Sequence, residues 1–331
     1  MNPTPDKSIE SIIRHIQNAS SFLIVSHENP DGDSLGSQFA LAFALRFMGK
    51  KAFVHARNPV PGIYDFLPGQ EDLIISNEVK VNQEDTLLVL DSGKLDRTGL
   101  TFIPHPPPLI INIDHHITNT HFGHLDWVDC QASATSELIF QLLCYLEIQI
   151  TPSIAINLYT GILTDTGSFQ YSNTTANSLT IAGQLVTAQA DPHLIANAVY
   201  ERKTLSAMKL MGRVLNDMEI HHNQSIAILT VTQEILNSLN ATYEDTEDLV
   251  IVPQKIEGIQ VSVLIKELNE SEYKVSFRSK GKTDVAKIAG ALGGGGHLNA
   301  AGATMNGSLD HIKEKVLKGI IPFLAPDELG S

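Results

Sequence analysis

Short apolar runs alternate with longer helical stretches through the first half of the chain. The apolar runs have the length of buried strands, and the segments between them repeat their apolar residues with a helical period. Strands are predicted over 21–27, 51–57, 85–91 and 108–114, and helices over 34–49, over 133–148 and from Thr151 and Pro152 onwards. This alternation predicts the α/β class, with a mostly parallel sheet that has helices on both faces.

The pattern changes in the second half of the chain. Residues 176–219 look wholly helical, as a connection between two domains would. Strand patterns then follow over 225–232, 259–268 and 273–279, with a helix over 284–292, a run of four glycines and a last helix near 309–323. We therefore predict three parts, which are a first domain over 1–190, a helical linker over 191–222 and a smaller α/β domain over 223–331.

The acidic balance of the chain restricts its partners. A formal net charge of −14 at pH 7 repels a long polyanion, so we expect short phosphorylated molecules and no long duplex nucleic acid as partners. The N-terminus lacks the apolar core of a signal peptide, and no apolar run reaches the ~20 residues of a membrane-spanning helix. Cys130 and Cys144 are too few for a disulfide framework or a cysteine zinc site. We predict a cytoplasmic protein without a membrane partner.

Potential metal ligands follow the predicted strands at the point where each strand ends. His27 and Asp91 close two apolar runs, and Asp114 closes a third, directly before His115 and His116. In an open α/β sheet, ligands bind at the carboxyl ends of the strands. A single Asp at a strand end is more often a turn former or a helix cap. Several strand ends with the same chemistry make a metal site the better interpretation.

Further carboxylates lie after the first strand and in the stretch 156–169. Asp31 and Asp33 are two residues apart, so an extended loop can direct both to one side. Asp165 lies directly before a Thr-Gly pair. Bringing these three together with Asp91 would strongly raise some of their pKa values unless the charge is balanced. Two divalent cations would cancel four carboxylate charges and keep the cluster ionised.

The ligand types indicate which ion such a cluster would bind. Carboxylate and imidazole without thiolate suit Mn²⁺, with Mg²⁺, Co²⁺ or Fe²⁺ as alternatives, and disfavour a structural zinc site. Two ions ~3.5–4 Å apart form the clamp used for in-line displacement at phosphorus. In that mechanism a bridging hydroxide attacks, the metals hold the nonbridging oxygens, and a nearby His protonates the leaving oxygen.

Six motifs, in this order, resemble those of the DHH phosphoesterase superfamily. HENPDGDSLGS, LDSG, IDHH and TGILTDTGSF resemble the motifs of the catalytic domain. SFRSK and GGGGHLNAAGA resemble motifs of the accessory DHHA1 domain found in the RecJ-like branch. The resemblance implies that one ion is held by His27, Asp31 and Asp91, and the other by Asp33, Asp91, His115 and Asp165. It also implies a catalytic set of His116, Asp114 and Asp91, in which His116 contacts the scissile phosphate as the general acid.

The accessory-domain motifs imply a surface that binds the substrate. The residues concerned are Arg278, Gly294, Gly295, Gly296 and His297. Glycines let backbone N–H groups approach a phosphate closely, and a guanidinium can bind one through two hydrogen bonds. A flexible linker is the alternative interpretation of four glycines alone.

Within the superfamily, the chain resembles the stand-alone bifunctional oligoribonuclease and pAp phosphatase (nanoRNase-like) proteins. This implies hydrolysis of very short RNAs to mononucleotides and removal of the 3′-phosphate of 3′-phosphoadenosine 5′-phosphate (pAp). A soluble phosphodiesterase for cyclic di-AMP or pApA is the close alternative, and a nucleotide-binding protein with a dead site is a third. The motifs do not determine the direction of degradation or the oligomeric state, for which a homodimer is one candidate.

Overall fold

The computed structural model describes residues 5–246, 249–281 and 283–324. The chain forms two compact units, which divide between Arg202 and Lys203. The helical linker predicted over 191–222 is therefore shared between the units. Its second half belongs to the second unit because Leu210 and Val214 pack in that unit's core with Leu229.

The first unit is built on a six-stranded parallel sheet. Its strands are β1 (Ser21–Val25), β2 (Lys51–Ala56), β3 (Leu73–Ile75), β4 (Glu78–Lys80), β5 (Asp85–Leu90), β6 (Thr101–Ile103), β7 (Ile110–Asp114) and β8 (Leu125–Val128), of which β4 and β6 pair separately. The sheet has the order β3-β2-β1-β5-β7-β8. The chain winds outward from β1 in one direction and from β5 in the other, so the topological switch point lies between these two strands.

The helices of the first unit pack on one face of this sheet. They are α1 (Lys7–Asn18), α2 (Gly32–Phe47), α3 (Thr135–Tyr145), α4 (Pro152–Asp165), α5 (Ala176–Thr187) and α6 (Pro192–Ala196), followed by a π-helical turn over Asn197–Glu201. Thr151 caps α4 and Pro152 begins it, as predicted. Helix α2 is buried on nearly all sides because it contacts both the sheet and α4.

The α/β class is confirmed, with a correction to the second face of the sheet. The apolar side chains on that face, among them Leu23 and Val89, pack against Val79 of β4 and Phe102 of β6. The connections that lead into β5 and β7 cross this face as β4 and β6. Among the described residues, no α-helix covers this face, and the prediction of helices on both faces is wrong.

The second unit carries a mixed six-stranded sheet, as expected for a smaller α/β domain. Its elements are α7 (Leu205–Asn216), β9 (Glu219–His221), β10 (Ile226–Val231), α8 (Gln233–Leu239), β11 (Val261–Asn269), β12 (Glu272–Ser279), α9 (Val285–Ala291), β13 (Gly295–His297), β14 (Ala300–Asn306) and α10 (Leu309–Ile320). The strand order is β13-β14-β12-β11-β10-β9, and β10 and β11 are the parallel pair. In the described part of the chain, no helix has the length and apolar content needed to cross a membrane.

The prediction that residues 176–219 are wholly helical is wrong. Asp191 caps a new helix after α5, Thr204 caps α7, and Glu219 already begins β9. Each of the separate helices buries apolar residues, so each has a helical pattern of its own. The capping residues were the available signal for these breaks.

Candidate metal centre

Three neighbouring strands of the first unit lead into His and Asp side chains. β1 leads to His27, β5 leads to Asp91, and β7 ends at Asp114, directly before His115 and His116. Because β1, β5 and β7 are adjacent and parallel, their carboxyl ends meet at the topological switch point of the sheet. The strand ends therefore bring these residues to one edge, as the sequence predicts.

Asp31 and Asp33 do not lie in an extended loop, so that prediction is wrong. Asp31 is the N-cap of α2, and its carboxylate accepts a hydrogen bond from the Ser34 amide at 3.0 Å. Asp33 lies in the first turn of α2 and is 1 % exposed. The helical geometry separates the two carboxylates, so that Asp31 joins His27 and Asp33 joins His115.

A first ligand group forms around His27. Its Nε2 atom lies 3.6 Å from Asp31 Oδ2 and 3.4 Å from Asp91 Oδ2. Nδ1 of the same ring donates a hydrogen bond to the Glu28 carbonyl oxygen at 2.8 Å. Such a bond fixes the orientation of a metal-binding imidazole and directs the other nitrogen toward the ion.

A second ligand group forms around His115. Its Nε2 atom lies 3.3 Å from Asp165 Oδ2, 3.6 Å from Asp91 Oδ1 and 4.0 Å from Asp33 Oδ2. Nδ1 of this ring faces the Ala132 carbonyl oxygen at 3.3 Å, which repeats the orientation of the first imidazole. The two groups have one member in common, Asp91.

Asp91 reaches the two groups with different oxygens. Oδ2 faces His27, and Oδ1 faces His115. The Thr135 hydroxyl donates a hydrogen bond to Oδ1 at 3.2 Å. The backbone of Asp91 has a φ of 53°, a left-handed conformation that costs free energy for a residue other than glycine. Such strain persists where the surrounding structure imposes it. Here the strained residue is the one whose two oxygens face both ligand groups.

Close packing of α2 against α4 holds Asp165 beside Asp33. A Cβ at Gly36 would lie 2.3 Å from a backbone oxygen of α4, and a Cβ at Gly161 would lie 2.8 Å from Asp33 Oδ1 of α2 and 2.0 Å from Ser136 Oγ of α3. A larger residue at either position would push the helices apart. Asp165 is the last residue of α4, so this contact sets its distance from the first turn of α2.

The carboxylates of the cluster are not balanced by any described Lys or Arg. Among the described residues, neither Lys nor Arg forms an ion pair with any member. Burial and the charge of Asp91 raise the pKa of Asp33 to about 7, and burial and the charge of Asp33 raise the pKa of Asp165 to about 8. Burial opposes protonation of His27, but the nearby carboxylates of Asp31 and Asp91 outweigh it and raise its pKa to about 11. The cluster therefore keeps protons unless a divalent cation balances it.

Asp114 and His116 form a pair beside the two ligand groups. His116 Nδ1 donates a hydrogen bond to Asp114 Oδ1 at 2.7 Å, and Asn119 Nδ2 donates one to Asp114 Oδ2 at 2.6 Å. Burial opposes ionisation of Asp114, but these bonds outweigh it and lower its pKa. The hydrogen bond to Asp114 also raises the pKa of His116. Because Nδ1 is engaged, Nε2 is the atom of His116 that can transfer a proton.

Sequence reasoning misses the groups that hold Asp33. The amides of Thr135 and Ser136, at the start of α3, donate hydrogen bonds to its two oxygens at 2.6 and 2.8 Å. Ala134 stands at the N-cap of α3 and offers no side-chain hydrogen bond. Asp33 therefore caps this helix from a distant part of the chain. A helix with alanine at its N-cap needs a hydrogen-bond acceptor from elsewhere for its first amides. In the sequence, Ala134 was the sign that such an acceptor exists.

Arg278, the predicted phosphate ligand, lies on β12 of the second unit. Its guanidinium donates a hydrogen bond to the carbonyl oxygen of Phe277 at 3.0 Å, and burial lowers its pKa. Within the described residues, no carboxylate forms an ion pair with it. The guanidinium therefore keeps hydrogen-bond donors for an anion.

The glycine run leads into β13 and forms most of it. A Cβ at Gly294 would lie 2.1 Å from a carbonyl oxygen of β14, and a Cβ at Gly296 would lie 2.5 Å from another. The close packing of β13 on β14 thus requires both glycines, a reason that the sequence prediction did not include. Gly295 has open space on its Cβ side, and His297 ends the strand.

Comparison with known proteins gives two matches that cover most of the chain. Residues 21–162 match the DHH family, N-terminal domain, and residues 223–321 match the DHHA1 domain. The bifunctional oligoribonuclease and PAP phosphatase NrnA of Thermus thermophilus is 38% identical over 298 residues, which cover 90% of this chain and 88% of that protein. The chain belongs to the DHH family. The resemblance seen in the six motifs is confirmed, and the chain is a member of a phosphoesterase family.

Further relatives of this DHH protein agree with that placement. The protein of the same name from Bacillus subtilis is 30% identical over 301 residues, covering 89% of this chain and 92% of that one. A solved structure of an exopolyphosphatase-related protein from Bacteroides fragilis has a TM-score of 0.86 at 27% identity and covers 96% of both chains. A manganese-bound RecJ exonuclease, with a TM-score of 0.53 at 14% identity over 99% of this chain and 98% of that one, shares the fold.

Proposed function

We propose that this DHH phosphoesterase hydrolyses short oligoribonucleotides to mononucleotides and removes the 3′-phosphate of pAp, using two divalent metal ions. The observation that carries the proposal is the position of Asp91, whose two oxygens face two different ligand groups. A carboxylate shared between two ions is the arrangement that suits in-line displacement at phosphorus.

The donor set supports a pair of Mn²⁺ ions, with Mg²⁺, Co²⁺ or Fe²⁺ as alternatives. The candidate ligands are carboxylate oxygens and imidazole nitrogens, without a thiolate. We assign one ion to His27, Asp31 and Asp91, and the other to Asp33, Asp91, His115 and Asp165. When bound, the ions lower the pKa of a water molecule and balance the charge that develops on the phosphoryl oxygens.

The side chains beside the ligand groups supply the proton transfer. We assign His116 as the general acid, because the hydrogen bond from its Nδ1 to Asp114 raises the pKa of the ring and favours its protonated form. Nε2 then gives its proton to the leaving oxygen. Asp114 is a positioning residue, since it holds the ring in the orientation and tautomer that this transfer needs.

The choice of substrate rests on the relatives and on the charge of the chain. The two curated relatives are named for oligoribonucleotides and PAP, and a net charge of −14 favours small anions over long ones. We propose that Arg278 binds a substrate phosphate, together with backbone amides of the Gly294–His297 segment. A cytoplasmic location and a homodimer stay predictions.

A hydrolysis panel with Mn²⁺ or Mg²⁺ tests this function. The substrates are RNA dimers to pentamers, a ~24-mer, pAp, pApA, cyclic di-AMP and pyrophosphate, which span the chemistry open to two ions. Fast turnover of short RNA and pAp, lost in Asp91→Ala and kept in the exposed-site control Asp310→Ala, is the expected result. Preference for cyclic di-AMP or pApA would replace the substrate assignment. Binding of pAp without turnover would indicate the dead-site alternative.

A further inference from the structure

The second unit leaves half of one sheet face uncovered within the described residues. One face packs β10, β11, β12 and β14 against α9 and α10. The opposite face is covered over β10 and β11 by α7, α8 and the 3₁₀ segment Leu249–Lys255. The 3₁₀ segment also reaches β12 at Arg278, where Gln254 Nε2 donates a hydrogen bond to the Arg278 carbonyl oxygen at 3.0 Å. The rest of this face, formed by β14, β13 and the remainder of β12, has no such cover among the described residues. We term this part, with Arg278 at its margin, the open half-face.

Side chains of β12 alternate between the core and the open half-face. Tyr273, Val275 and Phe277 belong to the core, so Lys274 and Arg278 point the other way, onto the open half-face. Their neighbours across the β12–β14 pair are small, since Thr304 lies opposite Lys274, Gly302 opposite Ser276, and Ala300 opposite Arg278. The surface between the two cations is therefore not obstructed by large side chains.

A groove of about 430 Å³ lies at one end of the open half-face. It is lined by Lys274, Thr304, Gly302, Ala303 and the segment 293–295. Lys274 is exposed and forms no ion pair with any described residue. In a chain of net charge −14, two cations on one strand face without carboxylate partners make a local site for an anion.

The spacing of the two cations indicates the size of that anion. Lys274 and Arg278 are four residues apart on one strand, which separates their Cα atoms by roughly 13 Å at about 3.3 Å per residue. The two phosphates of a mononucleotide bisphosphate flank a single ribose and are closer together than that. A chain of several nucleotides can place one phosphate at each cation.

We propose that Lys274 is a second phosphate-binding site of the open half-face, which holds a distal phosphate of an oligonucleotide whose other phosphate lies at Arg278. The proposal rests on the proposed function of this protein. It gives the second unit a role in substrate length, because the phosphates of an oligonucleotide match the spacing of the two residues better than the two phosphates of pAp.

The test compares kcat/KM for an RNA tetramer and for pAp in Lys274→Gln. The ratio of tetramer to pAp is expected to fall roughly fivefold, the size of one exposed charge contact. Lys274→Arg should restore the ratio. The matched control is Lys315→Gln, which removes the same charge from α10 on the opposite face and should leave the ratio as in the wild type.

A second readout separates phosphate binding from a structural effect. The slope of log Kd for the tetramer against log salt, measured by fluorescence anisotropy in the Asp91→Ala background, should drop by about 0.7 when Lys274 is replaced. An unchanged ratio and slope, or an equal loss for pAp and the tetramer, would overturn the proposal. Absence of hydrolysis of every substrate by the wild type would instead refute the proposed function.

Discussion

Replacement of Asp33 by asparagine should stabilise the metal-free protein at pH 8. Burial and the charge of Asp91 raise the pKa of this carboxyl from 3.8 to about 7, so at pH 8 the folded protein carries a buried anion. Each unit of pKa difference corresponds to about 1.4 kcal/mol, which puts the cost of this anion near 4 kcal/mol. The neutral amide of the Asp33→Asn variant would remove that cost.

The hydrogen bonds to Asp33 reduce the gain. Two amides, of Thr135 and Ser136, donate to the carboxylate, and the asparagine side chain can accept at only one of its two terminal atoms. Leaving one buried amide without a partner costs about 1–3 kcal/mol. The expected net gain at pH 8 is therefore about 2 kcal/mol.

The stabilisation by Asp33→Asn should increase with pH. An acid with a raised pKa in the folded state destabilises the fold progressively as pH rises from about 4 to about 7. At pH 5 the folded Asp33 is protonated and costs only about 2 kcal/mol, which the lost hydrogen bond offsets. The gain from Asp33→Asn should thus be near zero at pH 5 and grow toward pH 8.

Urea unfolding in EDTA at the two pH values measures the effect. Trp127, the single tryptophan of the chain, is buried in β8 and reports on the first unit by fluorescence. Asp65→Asn, at an exposed position, is the control and should change little at either pH. Equal effects of Asp33→Asn at pH 5 and pH 8, or a destabilisation at pH 8, would refute the reasoning.

Three further predictions concern metal binding, helix packing and proton transfer. Mn²⁺ binding should tighten from pH 6 to pH 8, because Asp33 and Asp165, with pKa values of about 7 and 8, must lose protons before they bind the ion. Calorimetry in two buffers counts the protons released. An affinity that does not change with pH would contradict the assignment. Gly161→Ala should weaken Mn²⁺ binding and cost about 1–3 kcal/mol of stability, because the new Cβ would lie 2.8 Å from Asp33 Oδ1. Gly183→Ala is the control and should change neither property, because its Cβ would meet no atom within 4 Å. His116→Gln should lower kcat about 10²–10⁴-fold with bound Mn²⁺ retained, and an unchanged kcat would exclude it as the general acid.

The sequence predicts the strand-end residues of the centre well, for a physical reason. Parallel strands bring their carboxyl ends to one edge, so His27, Asp91 and Asp114 converge once the strands are recognised. The sequence pattern around a carboxylate does not show which helix that carboxylate caps. Asp33 lies in α2 and caps α3, a contact that depends on how these helices pack and not on neighbouring residues.

The sequence pattern also did not predict which elements cover each sheet. An apolar strand shows that both faces are buried but not what buries them, and β4 and β6 cover a face for which helices were predicted. In the second unit, the open half-face depends on the extent of α7 and α8 across the sheet. The alternation along β12 predicts which residues share a face, but only the structure shows that no described element covers Lys274.

Electron paramagnetic resonance of the Mn²⁺-loaded protein tests the two-ion centre most directly. The wild type should bind two Mn²⁺ per chain and show the spin coupling of two ions joined by Asp91. Asp91→Ala should lose both the coupling and the hydrolysis of pAp. A wild type that is fully active with a single uncoupled ion would contradict the account.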